Sequence, residues 1–215
     1  MNRKRRILIL AAAAILGCLI WYIFRDNQPW YHGRSLTRWL YRLQDVSKKD
    51  FDSEANDAVC AIGTNAIPVL IKLGQARDIP LKSRLLKFLN TQRLVPVHWL
   101  TADEKISAGY WGFKLLGHQA VHAAPDLAQL MDDPRIQVRS FALSCLCMIR
   151  PEKNVLLPIL TKALQDSDIT IRDAAASVTV ALFPEEADRL EVYSKFPGIY
   201  RPTPVATSTN AVPDK

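Results

Sequence analysis

The sequence predicts an all-α chain: one transmembrane helix followed by an α-solenoid of about five helical hairpins. Three observations carry this expectation. Matched residues recur at a spacing of 33, the apolar residues inside each copy fall at helical intervals, and residues 7–24 form an uncharged run of eighteen. The 215 residues are 49% hydrophobic and 23% charged, which excludes a collagen, a mucin-like stalk, a fully disordered chain and a polytopic membrane protein. The net charge of +7 is concentrated at the start, where Arg3, Lys4, Arg5 and Arg6 supply four units. The remaining surplus of +3 is ordinary for a protein surface and leaves no phosphate-binding footprint, so no nucleic-acid partner is expected.

Residues 1–6 form a basic flank, and ILILAAAAILGCLIWYIF at 7–24 is the expected anchor. Eighteen residues at ~1.5 Å rise span about 27 Å, close to the hydrocarbon thickness of a bilayer. A cleaved signal peptide fits less well, because only Ile7 to Leu10 precede the small residues Ala11 to Ala14. Beyond them the chain grows more apolar, and Trp21, Tyr22, Trp30 and Tyr31 have the character of an interfacial aromatic belt. An alternative is a bacterial lipoprotein anchored at Cys18, since Ile15-Leu16-Gly17-Cys18 has the form of a lipobox. The apolar LIWYIF that follows argues against it. Basic residues are denser on the N-terminal side of the anchor, which places the N-terminus in the cytoplasm and the rest outside it.

Residues 25–50 are a membrane-proximal segment in which Ser35 is positioned to cap a helix striped by Leu36, Trp39, Leu40 and Leu43. Residues 51–196 are the repeat array. At an offset of 33, Pro125 aligns with Pro158, Asp133 with Asp166, Val138 with Ile171, Arg139 with Arg172, Ala142 with Ala175, Cys145 with Val178 and Ile149 with Leu182. Val138, Ala142, Cys145 and Ile149 fall on one helical face, as do their four counterparts. Asp133 has the chemistry of an N-cap and Pro134 suits a first helical position. A shorter helix beginning near Pro125 or Pro158 precedes each. A hairpin of this size buries only part of its surface alone, so stacking must complete the core.

Upstream the period is looser. Pro68, Leu70 and Leu73 reproduce the first helix, while Phe51, Ala55, Ala58 and Ile62 reproduce the second, as do Lys105, Gly109, Gly112 and Leu116. Thr101 to Glu104 has the capping-box pattern. LVPVHWL at 94–100 is a degenerate first helix, and second helices are expected to start near 51, 80, 103, 135 and 168. Residues 197–215, with four prolines among Thr, Ser, Ala and Asn, are expected to form a disordered tail.

The order of Pro, Asp, aliphatic and Arg in Pro125, Asp133, Val138, Arg139 and in Pro158, Asp166, Ile171, Arg172 resembles the HEAT repeat. The resemblance covers 118–183 well and 35–116 weakly, where Lys82 replaces Arg and Asp78 is displaced. It implies that Asp133, Arg139, Asp166 and Arg172 form a structural ladder of ion pairs between repeats. It also implies protein binding along the second helices, although relatives of this fold include bilin lyases and enzymes acting on DNA bases.

Catalytic, cofactor and metal residues are expected to be none. His118 and His122 are four apart, yet Gly117 and an inter-helix turn interrupt their face and no third ligand is obvious beyond Asp126. Cys145 falls on the core stripe and Cys147 points about 200° away, so neither can bridge the other; Cys60 sits in a similar context to Cys145. None of His32, His98, His118 and His122 stands in a nucleophilic triad pattern. Trp99, Tyr110, Trp111 and Phe113 cluster in the irregular middle; Trp99, Tyr110 and Trp111 are the candidate partner-binding residues, with Trp111 off the buried stripe. The expected function is a non-catalytic membrane-anchored scaffold for a protein partner. The alternative is a small-molecule enzyme resembling bilin lyases, which requires a deep apolar pocket near Trp99 and Trp111.

Overall fold

Apolar residues at helical spacing form paired helices throughout the residues described by the computed structural model, 28–44, 52–78 and 101–199. The expected anchor at 7–24, Cys18, the helix near 80, Trp99 and residues 200–215 lie outside the described residues.

The first element is one the helical reading missed: strands β1 (Trp30–Tyr31) and β2 (Arg34–Ser35), paired antiparallel with Trp30 opposite Ser35 and Tyr31 opposite Arg34. His32 and Gly33 between them have φ of 46° and 73°, the two positive values that the tightest hairpin turns require. Helix α1 (Leu36–Gln44) follows Ser35 directly, and its first two N–H groups do not go to the Ser35 side chain. The Leu36 N–H donates instead to the Pro29 carbonyl (3.0 Å), and the Thr37 N–H to Gln28 Oε1 (3.2 Å). Leu36, Trp39 and Leu40 are fully buried. Trp39 Nε1–H donates to the Tyr31 carbonyl at 3.0 Å, and the guanidinium groups of Arg34 and Arg42 lie 4.8 and 4.9 Å from its ring centre. One indole thereby joins the strand pair to the helix.

Helix α2 (Ser53–Ile62) starts at Asp52, whose carboxylate accepts the Ala55 N–H (3.1 Å) while the Arg42 fork holds it at 2.8 and 3.1 Å. A 3₁₀ turn at Gly63–Ala66 leads into α3 (Ile67–Gly74). Taken together, Ser53–Gly74 is long and apolar enough to cross a membrane, with a mean hydropathy of 1.3. Gly63 breaks it, because φ 60° with ψ −140° belongs to no continuous helix, and Ala55, Ala58, Val59, Ala66 and Leu70 are buried in the core.

Helix α4 (Ala102–Leu116) opens with the capping box: Thr101 Oγ1 accepts the Glu104 N–H (3.2 Å) and Glu104 Oε2 accepts the Thr101 N–H (2.8 Å). Asp78 Oδ1 accepts the next N–H, that of Ala102, at 2.9 Å. The expected stripe of α4 holds at Gly109, Gly112 and Leu116 and is widened by the buried Ala108 and Phe113, while Lys105 stays at the boundary. Glycines at 74, 109 and 112 let α3, α4 and the Phe141 ring approach one another closely.

The last pairs follow the 33-residue spacing. Helix α5 (Ala124–Leu130) pairs with α6 (Ile136–Ile149), and α7 (Lys153–Ala163) with α8 (Ile169–Leu182). Helices α6 and α8 have equal length and start 33 residues apart. The preceding helices differ. Residues 117–123 form a 3₁₀ helix, so Pro125 opens α5, whereas α7 begins earlier and carries Pro158 in its interior. Asp133 is not the N-cap of α6 and Pro134 is not its first residue; Asp133 accepts the Arg135 N–H (2.9 Å) in the turn just before the helix.

The chain leaves α4 through Gly117 at φ 49° and leaves α6, 33 residues later, through Arg150 at φ 47°. A left-handed residue at this position is usually glycine, because any other residue pays for its Cβ. Arg150→Gly is therefore expected to stabilise the fold by about 0.5–1 kcal/mol, raising the melting temperature by a few degrees. Thermal denaturation followed by circular dichroism reads this directly, and an unchanged or lower midpoint contradicts it.

Val138, Ala142, Cys145 and Ile149 are all fully buried, but of their counterparts only Ile171 and Ala175 are; Val178 and Leu182 are half-buried. Short helices α9 (Pro184–Arg189) and α10 (Val192–Lys195) close the other side of α8 with a small cluster of Ala176, Ala187 and Val192. Ile199 packs on that cluster, so the packed chain extends past 197, where the tail was expected to begin.

Candidate functional site

Of the four expected ladder residues, Asp133 and Asp166 sit in the loops between paired helices and Arg139 and Arg172 in the first turns of α6 and α8, and they do not form an unbroken ladder. Arg139 donates Nε–H and Nη2–H to the two Asp166 oxygens, both at 2.9 Å, across the boundary between the α5–α6 and α7–α8 pairs. Its Nη1–H groups donate to the carbonyls of Asp133 (3.0 Å) and Pro134 (3.2 Å) in its own loop. Burial alone would raise the Asp166 pKa; the Arg139 fork and the Asp168 N–H outweigh it and hold the carboxyl below its ordinary range.

Arg172 repeats the local half of this pattern, donating to the carbonyls of Asp166 (2.7 Å) and Ser167 (3.1 Å). The residue 33 beyond Asp166 is Ile199, so the spacing supplies Arg172 with no next carboxylate. At the other end Ile106 stands 33 before Arg139, and Asp133 is held instead by Arg135, through Nε and Nη2 at 3.0 Å each. That grip comes first among the influences lowering the Asp133 pKa. Arg135 also donates Nη1–H to the Gln75 and Ala76 carbonyls at 3.2 and 3.0 Å, tying this loop to the end of α3. Sequence reasoning passed over Arg135; its signal was a carboxylate two residues before a guanidinium at the point where the period fails.

The aromatic cluster divides. Phe113 is fully buried, edge-on to Phe141 with ring centres 6.0 Å apart. Trp111 is half-buried, with Lys114 Nζ 4.3 Å from its ring centre and Tyr110 edge-on at 6.1 Å. The 33-residue register then places Trp111, Lys114 and Leu115 of α4 in line with Ser144, Cys147 and Met148 of α6, and with Ser177, Val180 and Ala181 of α8. All nine are half-buried or exposed. They mark one side of three successive second helices, mostly free of charge; Leu115 and Cys147 pack in part on the main core and Val180 on the cluster under α9 and α10, whereas Trp111, Met148 and Ala181 do not. Part of this side is a groove of about 440 Å³ between α6 and α8, lined by Cys147, Met148, Arg150, Val178, Ala181 and Leu182.

The chemistry available on this face is apolar contact. Burial pushes the Cys147 thiol up to about 11 and the Cys145 thiol well above its ordinary value, so neither supplies a thiolate at neutral pH. Cys60 is exposed, contrary to the core position expected of it. His118 and His122 fall in the 3₁₀ segment Gly117–Ala123, where residues four apart do not share a face. His118 Nδ1–H donates to the Ile149 carbonyl at 3.2 Å and His122 is exposed. Among the described residues no three His, Cys, Asp or Glu side chains come together as a metal-binding group.

Consecutive helix pairs, two of them joined by the Arg139–Asp166 ion pair, have the arrangement of a helical-repeat protein. A model of the HEAT repeat family matches residues 156–184, which cover most of α7, the following loop and α8. The match falls on the α7–α8 pair, with Asp166 and Arg172 in its loop and first helical turn. No curated protein and no solved structure matches the chain.

Proposed function

We propose that this chain is a single-pass membrane protein whose HEAT-like hairpins, about five in number, form an α-solenoid that binds a protein partner and catalyses no reaction. Residues 7–24 are the anchor, the N-terminus is cytoplasmic and the array is extracytoplasmic. The observation that carries the binding role is the placement of Trp111, Met148 and Ala181, none of them packed on the core, along one side of three successive second helices. Interface centres are depleted of charge and enriched in Trp and Met, and a half-buried Trp111 on α4 together with Met148 on α6 supplies that composition. The enzyme alternative calls for a deep apolar pocket near Trp99 and Trp111, and Trp99 lies outside the described residues. The groove between α6 and α8 is open, the form of a contact surface, and Trp111 does not line it.

Affinity capture after cross-linking in membranes tests this. With Trp111→Ala, capture of the partner is expected to fall by about tenfold or more, the loss typical of a central aromatic anchor. Lys162→Ala, on the first-helix side, serves as the matched control and retains capture. Equal capture by both variants and the parent contradicts the proposal.

A further inference from the structure

Among the described residues, Trp30 is the most exposed large hydrophobic side chain, at 67%. It does not sit on a loose segment. Its strand is paired to β2, its neighbour Tyr31 packs on the core and accepts the Trp39 indole N–H, and Pro29 accepts the first N–H of α1. The aromatic belt expected from the sequence is therefore split: Tyr31 belongs to the folded body, and Trp30 projects from it.

We infer that Trp30, with Arg34 and Arg38, is a foot that rests the repeat array on the bilayer surface, the indole in the headgroup region and the guanidinium groups against anionic lipid phosphates. This rests on the anchor proposed for residues 7–24. Five residues lie between Phe24 and Trp30, and the six steps cover at most about 22 Å when fully extended, so a membrane-spanning segment ending at Phe24 keeps Trp30 close to the interface. Trp prefers that layer because its large ring is apolar and its N–H is wet. Charge complements this placement. Residues 28–44 contain Arg34, Arg38 and Arg42 and no acidic residue. Arg42 is engaged by Asp52 and Glu54, whereas Arg38 is exposed and Arg34 only half-buried. Because β1 and β2 are joined rigidly to α1, seating Trp30 fixes how the array leans over the membrane, which a flexible linker does not do.

The test uses the full chain reconstituted into vesicles of phosphatidylcholine and phosphatidylglycerol, with bromine at either shallow or deep acyl positions. Emission of the parent minus that of Trp30→Phe isolates the Trp30 signal. With the protein co-floating with vesicles, most of that difference signal is expected to be lost to shallow bromine and less to deep bromine; Arg38→Glu weakens the quenching. Co-flotation with a Trp30 signal quenched only by aqueous iodide overturns the foot and leaves the anchor standing. A signal quenched more by deep bromine overturns the interfacial placement. Failure to co-float overturns the anchor and the foot together.

Discussion

Gly109→Val is expected to destabilise the fold by about 3 kcal/mol, which for a chain of this size lowers the melting temperature by roughly 6–12 °C. A Cβ at position 109 would lie 2.9 Å from the Leu70 carbonyl oxygen and 3.1 Å from the Phe141 ring. The oxygen belongs to the backbone of α3, so relief requires the helix itself to move. Helix propensity favours most other residues over glycine by up to about 1 kcal/mol, and that gain is too small to offset the clash. Gly112 offers an internal comparison. Its added Cβ would meet Leu70 Cδ2 at 2.3 Å, the far end of a flexible side chain that can rotate away. Gly112→Ala should therefore cost less than Gly109→Val. Thermal denaturation of both variants checks the order, and equal midpoints contradict the close crossing of α3 and α4.

The second large effect is expected at Asp166. Asp166→Ala removes both acceptors from the Arg139 fork, and both side chains are only 11% exposed. The Arg139 guanidinium then keeps its loop carbonyls but loses its charge partner, and the Asp168 N–H loses its acceptor as well. A loss of about 2–3 kcal/mol follows. The pH dependence has a definite sign. The Asp166 pKa is lower in the folded chain than its ordinary value, so its contribution is complete above about pH 3.9 and disappears as the pH falls through the folded-state value. Between pH 5 and pH 2 the parent should lose more stability than Asp166→Asn. Chemical denaturation at several pH values reads this; parallel curves for the two proteins contradict it.

These two positions show what a single sequence does and does not reveal. The 33-residue spacing placed α5 to α8 because Val138 and Ile171, Ala142 and Ala175 face the core of successive pairs at one offset. The role of Asp166 was also accessible, since the resemblance implied a carboxylate facing the preceding arginine. The reach of Asp133 and Arg172 was not, because a ladder step depends on what stands 33 residues away, and there the chain has Ile106 and Ile199. The strand pair at 30–35 escaped a reading tuned to helices: its signal is only two positive-φ residues, His32 and Gly33, between two short runs. Gly109 lay on the expected stripe, but a periodicity argument treats glycine as a gap and cannot show that Leu70 fills it. Along the side of the second helices that leaves the core, Trp111 was singled out for lying off the stripe. Met148 joined it only once the register of α4 and α6 was fixed in space.

The central proposal is that the side of the second helices marked by Trp111, Met148 and Ala181 holds a protein partner. Site-specific photo-cross-linking in intact membranes tests it most directly, with the reactive group placed in turn at Trp111, Met148 and Ala181 and, on the first-helix side, at Gln129 and Lys162. The account predicts one discrete heavier product from the first three positions and none from the last two. The same product from both sides, or from the first-helix side alone, would contradict it.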